Sequence, residues 1–165
     1  MKALIRLALM VAICSAMVFG AGAASLTEQL VGTWTLDSNV AKRPDGSTFD
    51  SFGGGQRGIL MLDRSGNFSL QIMGNARRKF AANNRLQGSA EENQSVVQGS
   101  IAYFGAYTVS EADHLLIFKV ERSSYPNWDG TEQKRPFSLA DDELKYSVPT
   151  TASGVTAELI WRRAK

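Results

Sequence analysis

Histidine and cysteine are almost absent from this sequence, which has one of each in 165 residues. Cys14 lies in an apolar stretch near the start of the chain, and His114 lies in a polar segment that is predicted to form a turn. A transition-metal site or a nucleophile–histidine pair needs more of these side chains than the sequence offers. The glycine run 53–55 is not followed by Lys-Ser/Thr, so it does not form a phosphate-binding loop. The sequence therefore predicts no catalytic residue, no metal site and no cofactor.

Residues 1–23 have the three parts of a secretory signal peptide. Lys2 and Arg6 make a positive start, residues 7–19 form an apolar run too short to span a bilayer comfortably, and Ala21-Gly22-Ala23 has the small-x-small pattern of a cleavage site. We therefore expect this leader to be removed, with no stable membrane anchor left after cleavage. The mature protein is expected to be secreted or periplasmic.

The mature domain, residues 24–165, has neither a net formal charge nor a cysteine. The whole chain has 18 basic and 16 acidic residues, and because Lys2 and Arg6 belong to the leader, equal numbers remain. A neutral domain has no electrostatic reason to bind nucleic acid or an anionic membrane surface. Cys14 is lost with the leader, so the domain must be held by packing rather than by disulfides.

Alternation of apolar and polar residues predicts seven or eight antiparallel strands. Two short helices are also predicted, at residues 26–30, where Ser25 and Glu28 can cap the first turn, and at residues 90–98. Consecutive strands with little helix predict an all-β, antiparallel up-and-down barrel with a short helix, because closure removes exposed strand edges. The predicted strands are residues 32–37, 58–63, 67–73, 101–110, 115–122, 135–139, 143–148 and 156–163.

Three short motifs of the chain resemble one protein family. They are Gly-Thr-Trp at 32–34, Tyr-Phe-Gly-x-Tyr at 103–107 and Pro-Asn-Trp-x-Gly-Thr at 126–131. In this order they resemble the lipocalin-like domain family of bacterial and fungal proteins. The resemblance implies a small antiparallel barrel with a ligand cavity. The strand before the third motif often carries a histidine pair in that family, whereas residues 118–123 contain none.

The resemblance also implies how one end of the barrel is closed. In the lipocalins that this chain resembles, a tryptophan at the start of the first strand packs against an arginine at the end of the last strand. Trp34, in the motif that begins at Gly32, matches the tryptophan, and Arg162 or Arg163 matches the arginine. A guanidinium over an indole ring contributes about 1 kcal/mol. We therefore expect these residues to be structural.

The pairing of the two longest strands predicts which side chains face the interior. A turn at residues 111–114 places Tyr107 opposite Phe118 and Tyr103 opposite Arg122. This face is the more apolar of the two, and the long loop after the second strand adds aromatic residues beside it. The predicted ligand-binding residues are Tyr103, Tyr107, Phe118, Arg122, Tyr125 and Trp128.

These observations favour an exported barrel that binds a small hydrophobic or amphipathic ligand in its cavity without chemistry. Two alternatives stay open: a cofactor-free isomerase or cyclase acting on a hydrophobic substrate, and a structural barrel filled by its own side chains. A wide apolar cavity would favour binding. A buried carboxylate facing a tyrosine would favour catalysis, and a filled interior would favour the structural protein.

Overall fold

The computed structural model describes residues 24–165, and the predicted leader lies outside the described residues. None of the helices in the described part of the chain has the length and apolar content that crossing a bilayer requires. Two 3₁₀ turns lie at Arg85–Gln87 and Pro126–Trp128. The helices are α1 (Leu26–Leu30) and α2 (Ala90–Gln98), and the strands are β1 (Gly32–Lys42), β2 (Thr48–Asp50), β3 (Arg57–Leu62), β4 (Asn67–Met73), β5 (Ser100–Ser110), β6 (Leu115–Ser123), β7 (Glu132–Ala140), β8 (Glu143–Val148) and β9 (Thr156–Arg163).

The strands form one antiparallel sheet that closes on itself. From β3 to β9 each strand pairs with the next along the chain, and β1 pairs with both β3 and β9. The short strand β2 pairs only with the second half of β1. The predicted antiparallel up-and-down barrel is therefore confirmed. Its closure covers the strand edges that an open meander would expose.

β1 is longer than predicted because a β-bulge changes its alternation. Trp34 points into the barrel, but after the irregularity at Asp37 the inward residues are Asn39 and Ala41. A bulge adds one residue to a strand, so a two-residue period read from the sequence ends there. Residues 41–57, which lie between the first two predicted strands, include the end of β1, a tight turn and β2.

Both α-helices begin with a capping box. Ser25 accepts a hydrogen bond from the backbone N–H of Glu28, and the Glu28 carboxylate accepts one from the N–H of Ser25 at 3.0 Å. Ser89 and Glu92 repeat this arrangement at the start of α2. Each box satisfies backbone donors that have no partner within the helix. Leu30, at the end of α1, is fully buried against the barrel.

Arg163 and Trp34 close the end of the barrel next to α1. Arg163 Cζ lies 4.2 Å from the centroid of the fully buried Trp34 ring. The Trp34 Nε1–H donates to the Leu30 carbonyl at 2.9 Å. Arg163 Nη1 and Nη2 donate to the carbonyls of Val31 at 3.0 Å and Gln29 at 2.5 Å. Because the last carbonyls of a helix lack partners within it, Arg163 both covers the indole and completes the hydrogen bonding of α1.

Arg162 lies on the outer face of β9. Its guanidinium is 2.7 Å from Glu143 and 3.6 Å from Asp37. The position over Trp34 that the sequence assigned to Arg162 or Arg163 is therefore held by Arg163. Gly32 leaves room for this side chain, because a Cβ at Gly32 would lie 2.8 Å from Arg163 Nη1.

We expect Arg163→Ala to lower the free energy of unfolding by about 2–3 kcal/mol, because it removes a cation–π contact and two hydrogen bonds of about 1 kcal/mol each. Arg162→Ala is the matched control and should cost less than about 1 kcal/mol, since exposed ion pairs contribute little. Urea unfolding followed by circular dichroism measures both values. Equal losses in the two variants would contradict the role assigned to Arg163.

Candidate functional site

The end of the barrel opposite Arg163 contains an open cavity of about 520 Å³. Its mouth is surrounded by the end of α2 and by the loops that follow β2, β6 and β8. Small-molecule sites typically have volumes of roughly 300–1,000 Å³ and mainly apolar walls. The barrel is therefore not filled by its own side chains at this end. A purely structural barrel would have been filled there. Its apolar walls include Leu70, Ile72, Ile101, Val148 and Leu159.

Packed aromatic rings form the floor between the cavity and the closed end. Phe118 is fully buried, and its ring centroid lies 4.4 Å from that of Phe68 and 6.4 Å from that of Tyr103. The Tyr107 hydroxyl donates to the Asp63 carbonyl at 2.8 Å. Phe118 and Tyr107 thus face the interior, as the sequence predicted, but they belong to the packed core and do not line the cavity.

Arg122 lies outside the barrel because the β5–β6 pair contains a bulge. The predicted register holds as far as Gly105, which pairs with Val120. β6 then has one extra residue, so Tyr103 pairs with Ser123 and the predicted pairing of Tyr103 with Arg122 was wrong. The side chain of Arg122 is 69% exposed. A Cβ at Gly105 would collide with the backbone of β6, so only glycine permits this close approach.

The loop between β6 and β7 places Tyr125 and Trp128 at the mouth of the cavity. Asp129 Oδ1 accepts a hydrogen bond from the backbone N–H of Ser123 at 2.7 Å, which ties the loop to the end of β6. The half-buried Trp128 ring makes edge-to-face contacts with Tyr103 and Tyr125, at centroid distances of 5.3 and 5.7 Å. Tyr103, Tyr125 and Trp128 are the three predicted site residues that the structure brings together around the cavity.

Arg135 is the one charged side chain among the described residues that line the cavity. Only 4% of its surface is exposed. Its Nη2 donates to Gln133 Oε1, and its Nη1 donates to the Lys134 carbonyl at 3.3 Å. The Arg135 Nε–H is buried and has no hydrogen-bond partner among the described residues.

Two tyrosine hydroxyls belong to the same polar region. Burial raises the pKa of Tyr103, and it raises the pKa of Tyr146 well above its ordinary value. The positive charge of Arg135 opposes part of this rise for both groups. Both hydroxyls therefore stay protonated at neutral pH and can donate or accept hydrogen bonds.

Arg135 and Asn39 were not among the site residues predicted from the sequence. β7 turns Gln133, Arg135 and Phe137 inward, and this alternation was the available signal. The alternation was missed because two of these three inward side chains are polar. The predicted strand therefore began at Arg135, three residues after the true start of β7 at Glu132. Asn39, which is 3% exposed, was missed because the bulge in β1 reverses the alternation before it.

The lining offers hydrogen bonding and charge pairing. Asp, Glu and His are absent from the described residues that surround the cavity. Within residues 24–165, no three His, Cys, Asp or Glu side chains are grouped as a metal ion would require. The ionisable groups of the lining are Arg135 and the hydroxyls of Tyr103, Tyr125 and Tyr146.

A comparison with protein families matches this architecture. The model of the lipocalin-like domain family matches residues 31–164, a range that includes every strand of the barrel. The chain belongs to the lipocalin-like domain family. The resemblance carried by the Gly-Thr-Trp, Tyr-Phe-Gly-x-Tyr and Pro-Asn-Trp motifs is thereby confirmed at the level of the family.

One of the similar proteins is named as a carrier. The 4'-hydroxy-3'-methoxypropiophenone carrier protein ppsC of Aspergillus oryzae is 32% identical over 105 residues, covering 58% of this chain and 95% of that protein. Among solved structures, a de novo designed fluorescence-activating β-barrel has a TM-score of 0.44 at 14% identity, covering 86% of this chain and 99% of that one. An uncharacterized protein from Bacteroides eggerthii has a TM-score of 0.41 at 17% identity, covering 81% of this chain and 98% of that one.

Proposed function

We propose that this lipocalin-like protein is a carrier that binds a small hydrophobic or amphipathic molecule in the barrel cavity. The observation that carries the proposal is the cavity of about 520 Å³ that opens at one end of the barrel while Arg163 and Trp34 plug the other. An apolar ligand that leaves water for these walls gains about 25 cal/mol for each Å² of apolar surface that it buries. The aromatic floor beneath supports a ligand held near the mouth rather than one that passes through the barrel.

An aromatic ligand fits the mouth well. Tyr103, Tyr125 and Trp128 present ring edges and faces to one another there, and a further ring could join this cluster at about 0.5–1.5 kcal/mol per favourable aromatic pair. The relative from Aspergillus oryzae is named as the carrier of an aromatic ketone. Both observations support a ligand with one aromatic ring and a short polar substituent.

Binding without chemistry is favoured over the isomerase or cyclase. General acid–base catalysis needs a group whose pKa lies near the working pH. The burial of Tyr103 and Tyr146 moves the pKa of each hydroxyl further from neutrality. The described lining provides neither a carboxylate nor an imidazole in their place.

We further propose that the carrier acts outside the cytoplasm, as a secreted or periplasmic protein. The support is the leader pattern of residues 1–23, with Lys2 and Arg6 before the apolar run and a small-x-small site at its end. Export would remove Cys14 and leave a barrel that folds without any disulfide.

We expect 4'-hydroxy-3'-methoxypropiophenone to change the tryptophan fluorescence of the protein saturably. Trp128 should supply most of the change, because it stands at the mouth whereas Trp34 and Trp161 are fully buried and do not line the cavity. Trp128→Phe should therefore lose most of the fluorescence change and still bind in isothermal titration calorimetry.

A pair of variants on β8 provides the control for the site. Val148 lines the cavity, whereas its neighbour Ser147 is exposed on the outer face. Val148→Trp should fill the space and weaken binding by about tenfold or more, which corresponds to about 1.4 kcal/mol, and Ser147→Trp should not. If the ketone, fatty acids and isoprenoids all fail to bind the wild type, the carrier function is contradicted.

Export predicts a specific N-terminus. Protein recovered from the periplasm or medium should begin at about Ala24 or Ser25, because cleavage follows the small residues at the end of the leader. Intact-mass measurement of the recovered protein tests this. Exported material that retains Met1 would refute the cleavage prediction.

A further inference from the structure

Arg135 carries a buried positive charge without a counter-charge from the described chain. The side chain is 4% exposed and lines the cavity. The ion pairs that the described residues form involve Arg122, Lys145, Arg162 and Arg163, and none includes Arg135. A buried charge is normally paired with an opposite charge or bound to a metal, because its removal from water is costly. The cavity is therefore where a balancing negative charge can enter.

The hydrogen bonds of the guanidinium leave some of its N–H donors without a partner among the described residues. Arginine has five N–H donors, and those of Arg135 donate to Gln133 Oε1 and to the Lys134 carbonyl. Both acceptors are neutral, so they orient the group without cancelling its charge. The Nε–H is buried and unpartnered among the described residues. A guanidinium with unused N–H groups can donate a charge-assisted hydrogen bond to an anionic oxygen.

The neighbouring groups favour an anion as well. Burial raises the pKa of the Tyr103 and Tyr146 hydroxyls, and the charge of Arg135 offsets only part of that rise. Both hydroxyls therefore remain neutral and can donate hydrogen bonds to an anion. The described lining contains no acidic side chain that would repel a negative ligand or pair with Arg135 itself. The apolar walls then receive the rest of the molecule, including its ring or chain.

We propose that the ligand carries an anionic oxygen group, a carboxylate or an ionised phenol, on an apolar body, and that Arg135 is the residue that selects for this charge. This inference rests on the proposed carrier function and specifies the chemical class of its ligand. Arg135 contacts the ligand directly, while Gln133 positions the guanidinium.

The test compares pairs of ligands that have similar shapes and differ in charge. The first pair is 3-phenylpropanoate and 3-phenylpropanamide, measured by isothermal titration calorimetry on the wild type. The second is 4'-hydroxypropiophenone and 4'-methoxypropiophenone, measured at pH values below and above the pKa of the free phenol. We expect at least one anion to bind about tenfold or more tightly than its neutral partner, as a charge-assisted hydrogen bond would allow. The pair that shows the preference identifies the anion as a carboxylate or a phenolate.

Variants then assign the preference to one side chain. Arg135→Met keeps an unbranched apolar stem and removes the charge; it should reduce the preference to less than about threefold while leaving the neutral partner's affinity nearly unchanged. Arg122→Met on the outer face is the matched control and should leave the preference intact. Thermal melts check that both variants are folded. The comparison of charged with neutral ligands on the wild type does not depend on either variant.

The outcomes separate this inference from the carrier function. Equal affinities for anion and neutral partner in the wild type would overturn the inference and leave the carrier function standing. A preference that survives in Arg135→Met would also overturn it. Failure of all four compounds to bind would count against both the carrier function and the charge selection.

Discussion

The pairing of β1 with β9 is the contact on which the rest of this barrel depends. It joins the first strand to the last, and β1 then divides its other edge between β3 and the short β2. Before the bulge, β1 places Trp34 under Arg163 and so builds the closed end. After the bulge it turns Asn39 and Ala41 inward. These are smaller than an indole, so the strand that plugs one end also helps to leave space at the other.

Arg163 at the closed end and Arg135 at the open end differ in the groups that satisfy them. At the closed end, Arg163 donates to backbone carbonyls and contacts Asp142 at 3.5 Å, and the Trp34 Nε1–H is bound to the Leu30 carbonyl. At the open end, Arg135 is held by neutral acceptors and its Nε–H has no partner among the described residues. Satisfied polar groups stabilise a fold, whereas an unpaired buried charge is retained at a cost. Together with the cavity, the unpaired charge of Arg135 supports our proposal that a ligand binds at the open end.

Local patterns in the sequence predicted most of the fold, and two bulges account for much of what they missed. The caps at Ser25, the α2 bounds and the β3–β4 hairpin depend on neighbours in the chain, so residue type and period were enough. The bulges near Asp37 and before Arg122 depend on how strands pair across the barrel, which no local period records. The cavity itself arises from side chains of distant strands, and Arg135 joins it from a strand on which two inward side chains, Gln133 and Arg135, are polar.

Methyl NMR of the protein with saturating 4'-hydroxy-3'-methoxypropiophenone tests most directly whether the ligand site is the open end. If the ligand occupies the open end, we expect chemical-shift changes at methyl groups of the cavity wall and unchanged shifts at Leu30 and Leu116, which are buried and do not line the cavity. Changes centred on Val31 and Val109, which line a separate groove beside α1, would contradict it. The wall methyl groups to follow are those of Leu70, Ile72, Ile101, Val148 and Leu159.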